Sequence, residues 1–184
     1  MIDIKEISIE EFKKDIYDEY TSLFSKEEQR EWKKIRRTYK NELEKFYVIT
    51  LDGVQIGFFL LERIGDNPYY LEYYAIYEEY QDKGYGTKAL KKLLKDIVKN
   101  QGLIGEIEKI VKSDDITKRR FEFYENLGFE KIKSEYLLYD VLYNPIVYFK
   151  DSKLDKETAD EIFFEYYKTN IGLKDMELNC KIVK

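Results

Sequence analysis

Apolar residues recur every four positions at Phe12, Ile16 and Tyr20, which predicts a helix with one buried stripe. Ser8 and Glu11 stand just before it at capping-box spacing, where hydroxyl and carboxylate each satisfy a backbone amide at a helix start. The same device at Ser25 and Glu28 predicts a second helix, with Trp32, Ile35, Tyr39 and Leu43 as its stripe. The texture then changes to short β-rich runs. FYVIT and QIGFFLLER flank Asp52-Gly53, a tight-turn dipeptide, and Gly65-Asp66-Asn67-Pro68 leads to YYLEYYAIY. Short turns between three strands predict an antiparallel meander, because parallel neighbours need long crossovers.

After Gly86 the period returns to that of a helix. Ala89, Leu90, Leu93, Leu94, Ile97 and Val98 share one face, with Gly102 as the expected stop. LIGEIEKIV, ending at Ile110-Val111, reads as a strand. Ile116 to Leu127 reads as a helix capped by Asp114 or Asp115 and closed at Gly128. FEKIKSEYLLYDV and PIVYF read as strands, and Asp155 to Lys168 as a last helix. The order ααβββαβαββα predicts an α+β domain around a mostly antiparallel mixed sheet. At 184 residues the chain is expected to form a single domain, 1–184, with 151–184 as a helix plus tail.

Composition narrows the chemistry. No histidine occurs anywhere, so Ser-His-Asp and Cys-His machinery and histidine-ligated metal sites are excluded. A general base must then be a carboxylate, a lysine, a tyrosine or water. No metal is expected. The net charge of -5 argues against a nucleic-acid partner, which wants a basic surface. No run approaches the ~18 apolar residues of a membrane helix, so no membrane partner is expected. The lone Cys180 has no intrachain disulfide partner and reads as an unreactive residue of a tail, which suits a reducing cytoplasm.

The stretch richest in chemistry is Gln81-Asp82-Lys83-Gly84-Tyr85-Gly86, between a strand and a helix expected to open at Thr87. Glycines let backbone amides approach a ligand, and a helix N-terminus adds unpaired N–H groups and a positive dipole end, a seat for pyrophosphate. No G-x-x-x-x-G-K-[ST] string occurs. Gly84-Tyr85-Gly86-Thr87-Lys88-Ala89 satisfies the loose G-x-G-x-x-A dinucleotide pattern, with Glu106 and Glu108 roughly 20 residues on, but a strand meander precedes it where that pattern needs a βαβ unit.

QDKGYG resembles the acyl-CoA signature Q/R-x-x-G-x-G/A of the GNAT superfamily, and FYENLGF at Phe123–Phe129 resembles its second signature, FYxxxGF. One helix and one strand separate the two, as in that family, and the resemblance extends to about residue 150. GEIEKI, the doubled arginine Arg119-Arg120 and Tyr143-Asn144-Pro145 make the chain similar to one bacterial GNAT subgroup.

This resemblance implies transfer of an acetyl group from acetyl-CoA to an amine by direct attack. It implies that the backbone of Tyr74 and Ile76 meets pantetheine, with the Ile76 N–H as oxyanion donor. It places the pyrophosphate on the amides of Gln81, Asp82, Lys83, Gly84, Tyr85, Gly86 and Thr87, with Lys83 or Lys88 adding charge. Thr117 stands where the family often carries asparagine near pantetheine. Tyr124 takes the place of the general acid. Glu72, in strand phase with Tyr74 and Ile76, is the first candidate base, with Glu106 and Glu108 as rivals and a plain ion pair with Arg119 or Arg120 as the alternative for all three.

A free alkylammonium has a pKa near ~10.4, so some group must take its proton. The acceptor is expected to be a small-molecule or peptide amine, bound by the N-terminal helices, residues 65–68 and the C-terminal segment. Glu27, Glu28, Tyr69 and Tyr70 would then offer an acidic, aromatic surface to a cation. Two other readings remain: an acyl-CoA-binding GNAT module without turnover, and a dinucleotide-dependent oxidoreductase. The assembly is expected to be a monomer or a homodimer.

Overall fold

The computed structural model describes residues 1–109, 115–150 and 156–183. The expected strand end at Ile110-Val111, the Asp114 cap and a helix start at Asp155 lie outside them. The fold is α+β, with a mixed, mostly antiparallel sheet and helices. The chain divides into two compact units, Met1–Ile64 with Leu71–Lys99 and Gly65–Tyr70 with Asn100–Lys184.

In the first unit the strands run in the order β1 (Ile2–Ile7), β2 (Glu44–Leu51), β3 (Val54–Glu62) and β4 (Tyr69–Ile76), with β4 joining this unit from Leu71 onward. Strand β1, antiparallel to β2, was not expected, since the first residues are mostly polar and only Ile2 and Ile4 alternate. The β2–β3 hairpin turns at Asp52 and Gly53, with φ of 50° and 87°. Positive φ at both positions is the geometry that lets a two-residue turn follow strand twist.

The first predicted helix is broken at Ile16 into α1 (Ile9–Asp15) and α2 (Tyr17–Leu23), yet its stripe of Phe12, Ile16 and Tyr20 is fully buried. Ser8 and Glu11 form the expected capping box. The second differs: Ser25 and Glu28 close only a lone turn, in which the Glu28 carboxylate accepts the Ser25 N–H, and α3 starts at Trp32 and ends at Lys40. Residues of α1, α2 and α3 pack on Phe46, Val48, Phe58, Leu60 and Tyr73 of the sheet. Phe12 stacks on Phe46 with ring centroids 4.4 Å apart. After β4 comes a single 3-10 turn, Glu78–Tyr80, and then α4 (Tyr85–Leu93). A π-helical turn, Leu94–Val98, extends α4, and Lys99, at φ 55°, ends it rather than Gly102.

The second unit carries the start of β4 and then β5 (Leu103–Glu108), α5 (Asp115–Glu125), β6 (Glu130–Lys131), β7 (Tyr136–Leu138) and β8 (Val141–Tyr148). It continues with α6 (Lys156–Ile171), α7 (Leu173–Asn179) and β9 (Cys180–Ile182). Strands β5, β8, β7 and β9 are antiparallel neighbours in that order, and the parallel step pairs Tyr69 with Leu103 and Tyr70 with Ile104. The break expected before Pro145 is absent, because Pro145 lies inside β8. The turn falls instead at Tyr139 and Asp140, both at positive φ. Cys180, expected in a tail, is buried in β9, and burial, with Glu106 adding to it, pushes its thiol up to about 11.

Gly57 allows β3 and β4 to approach closely: a Cβ there would lie 2.2 Å from the Ala75 carbonyl oxygen, which is backbone and cannot swing away. Replacing Gly57 with Ala should therefore destabilise the protein by roughly 1–3 kcal/mol, read as a lower midpoint in thermal or denaturant unfolding.

Candidate active site

The Gln81–Thr87 segment is shaped by its backbone. Asp82 and Gly84 adopt left-handed φ of 57° and 73°, and Gly84 is the N-cap of α4, so the helix opens at Tyr85, two residues earlier than expected. The N–H groups of the first turn have no acceptor inside the helix, no side chain caps them and no acidic residue stands in that turn. These open amides sit at the positive end of the helix dipole and suit an anion. Two ties fix the segment to the end of β4. Tyr74 Oη donates to the Gly86 carbonyl at 2.8 Å, and Gln81 Nε2 donates to the Ile76 carbonyl at 2.8 Å. Tyr74 also stacks on Phe59. The Lys83 ammonium folds back onto the Glu79 carbonyl at 2.5 Å, and Lys88 lies 5.8 Å from the Tyr85 ring centroid.

Glu72 does not share the surroundings of Tyr74, although the two are in strand phase. Its carboxylate lies 2.9 Å from Arg30 Nε, in a cluster no sequence pattern singled out. Arg30 Nη2 bonds both oxygens of Glu44 at 2.6 and 2.7 Å, and Nη1 bonds Glu62 at 2.7 Å. The side chains are only 6% (Arg30), 0% (Glu44), 1% (Glu62) and 7% (Glu72) exposed, so water does little to screen these charges. Thr38 donates to Glu44, the Arg30 N–H donates to Tyr20 Oη at 2.8 Å, and Tyr73 donates to the Glu28 carbonyl. Burial pulls the Arg30 pKa down more than any other single influence, but Glu72, Glu44 and Glu62 together hold it well above its ordinary value.

The three carboxylates lie close enough to hold a cation, and the Arg30 guanidinium hydrogen-bonds Glu44 and Glu62 and ion-pairs with Glu72. The readable signal was in the strands: Glu44 is in phase with Phe46 and Val48, and Glu62 with Phe58 and Leu60. A carboxylate in the core phase demands a buried cation.

The second unit holds the other candidates. Tyr124 lies on α5 with its ring edge-on to Phe123 and Phe129 at 5.0 and 5.2 Å. Burial raises its hydroxyl to about 12, with Arg120 opposing, so it is protonated at neutral pH. Thr117 is buried on the same helix. The rival base Glu106 accepts from Tyr70 Oη at 2.5 Å, and Glu108 pairs with Arg120 at 3.2 Å, as the ion-pair alternative expected. Tyr70, expected on an acceptor-binding surface, is instead buried among Phe163, Tyr166 and Tyr167.

A family model for the acetyltransferase (GNAT) family matches residues 9–129. The chain belongs to the GNAT acetyltransferases. No curated protein matches it. Among solved structures, a protein described as a GNAT-family acetyltransferase from Bacteroides thetaiotaomicron is 24% identical, with a TM-score of 0.78 over 93% of this chain and 99% of that one. The Escherichia coli ribosomal-protein-S18-alanine N-acetyltransferase is 15% identical, with a TM-score of 0.61 over 85% of this chain and 98% of that one. A GNAT acetyltransferase from Elizabethkingia anophelis, solved with acetyl-CoA bound, is 14% identical, with a TM-score of 0.60 over 81% and 98%. These similarities show the GNAT fold, and the family assignment sets the oxidoreductase reading aside. Among the described residues no helix is long and apolar enough to cross a membrane.

Arg30 holds three buried charges, so Arg30→Met should cost about 3–5 kcal/mol of stability by leaving carboxylates unpaired in a dry site. Chemical denaturation of wild type and variant measures it.

Proposed function

We propose that this GNAT acetyltransferase moves the acetyl group of acetyl-CoA directly onto a primary amine, and that residues 1–184 act as a single catalytic domain. The family match draws on residues of both units, which supports one domain. The observation that carries the acyl-CoA assignment is the first turn of α4, whose amides are open at the positive end of the helix with neither a capping side chain nor an acid competing for them. In this reading the amides that follow Gln81, up to Thr87, hold the pyrophosphate, since the Gln81 N–H already donates to the Glu78 carbonyl at 3.1 Å, and Tyr74 and Ile76 offer backbone groups to pantetheine. The Ile76 N–H polarises the thioester, and Thr117 supplies a hydroxyl where relatives use an amide. Acetyl-CoA is a co-substrate here, and no metal is assigned a role.

The amine attacks the thioester carbonyl, the C–S bond breaks, and the thiolate takes a proton from Tyr124. The hydroxyl keeps its proton through the working range, as a donor must, although burial makes it a weaker acid than a free tyrosine. Glu72 accepts the proton leaving the amine. An acyl-CoA-binding module without turnover would share the loop but not depend on Tyr124.

Acetyl-CoA-dependent thiol release, measured with spermidine, an aminoglycoside and an alanine-terminated peptide as acceptors, tests the reading. Tyr124→Phe should lower kcat by about 10²–10⁴-fold at unchanged thermal midpoint, and unchanged turnover would remove Tyr124 from the reaction. Thr87→Glu should raise the unfolding midpoint slightly, because an acid suits a helix N-terminus, while weakening acetyl-CoA binding in calorimetry. Equal or tighter binding would move the pyrophosphate elsewhere.

A further inference from the structure

Arg30 enters the first unit from the loop before α3, and the reaction scheme gives it no task. Its three nitrogens are divided among three strands: Nη2 to Glu44 of β2, Nη1 to Glu62 of β3, and Nε to Glu72 of β4. We infer that Arg30 is a positioning residue for acetyl transfer, which orients Glu72 and keeps it ionised beside two other buried carboxylates. This rests on the reading of Glu72 as the proton acceptor.

The argument is one of crowding. Carboxylate oxygens of Glu44, Glu62 and Glu72 all lie within 4.8 Å of one another. Like charges that close, out of water, do not all stay ionised without a cation; the site takes up a proton. Two tyrosines and a threonine also belong to this cluster. Tyr20 and Tyr73 are held neutral, by burial first and by the charge of Glu72 as well. Thr38 offers a hydroxyl, to Glu44.

The guanidinium is itself held in place. The Arg30 N–H donates to Tyr20, and Tyr73, the neighbour of Glu72 on β4, donates to the Glu28 carbonyl in the same loop. The loop and strand therefore hold the guanidinium beside Glu72, where Nε and the carboxylate form an ion pair at 2.9 Å without a well-aligned hydrogen bond. A guanidinium has three edges to share in this way, whereas a lysine ammonium is a point charge.

The experiment follows Glu72 by carboxyl-carbon NMR titration, together with kcat/KM against pH for whichever of the three acceptor amines gives the fastest thiol release. In wild type the acid limb of the profile should coincide with the Glu72 titration. In Arg30→Met both should move to higher pH by about one unit or more, a roughly tenfold loss of kcat/KM on the acid side.

Arg30→Met/Glu44→Gln, which leaves the net charge of the cluster unchanged, should show the same upward shift, so the outcome does not depend on the single variant folding. Arg30→Lys should retain the limb and lose kcat with little change in KM. A purely structural Arg30 would lower the unfolding midpoint and leave the limb and the titration unmoved, and that result in a folded variant lacking Arg30 overturns the inference. Glu72→Gln separates the two claims. If it keeps wild-type kcat and limb, Glu72 is not the proton acceptor and both fall; if it abolishes the limb while the Arg30 variants leave it unmoved, only the role of Arg30 falls.

Discussion

Charge taken out of water must be matched within a few ångströms, and in the first unit that requirement is met at Arg30. Three neighbouring strands each bring a glutamate to it, so their alignment is set by polar geometry as well as by apolar packing. The guanidinium also links the loop before α3 to the sheet on which α1, α2 and α3 pack. Such a cluster contributes less net stability than an apolar core of equal volume, but it tolerates few alternative arrangements. Shifting one strand by a single residue would turn its glutamate away and leave the others uncompensated.

The loop before α4 works by the opposite logic. There, backbone donors are left open to solvent at a helix start that neither Ser nor Asp caps. Tyr74 and Gln81 hold the frame of that opening from β4 while leaving the amides themselves undisturbed. A site for an anionic ligand is thus made from unsatisfied groups whose positions are rigid, and the cost of ordering them is met when the chain folds rather than when ligand binds.

How far this was legible in the sequence depended on the range of the forces involved. The β2–β3 hairpin, α4 and α5 were readable because turn chemistry and helical period act over a few residues: Asp52-Gly53 and the spacing from Ala89 to Leu93 carry their own instructions. Strand β9 was not, because Cys180–Ile182 is a strand only by virtue of pairing with β7. Ser25 and Glu28 show the reverse failure, in which a correct local bond forms but no helix follows. Among the site residues, the Gly84 turn and Tyr124 were visible as motif letters. Arg30 was not, since its three partners lie 14, 32 and 42 positions away (44 − 30, 62 − 30 and 72 − 30) and only the out-of-place glutamates hinted at it.

The second unit is discontinuous in the chain: residues 65–70 belong with Asn100–Lys184. Tyr166 donates to the Pro68 carbonyl and Glu165 accepts from Asn67, contacts that close over 98 positions. During synthesis, at about 5–20 residues per second, the segment from Gly65 must wait several seconds for these partners to emerge. Until then Tyr70 lacks the aromatic cover of Phe163, Tyr166 and Tyr167. The nascent chain therefore carries an exposed tyrosine-rich strand start through much of its translation. For this unit, folding cannot be completed until residue 166 has left the ribosome.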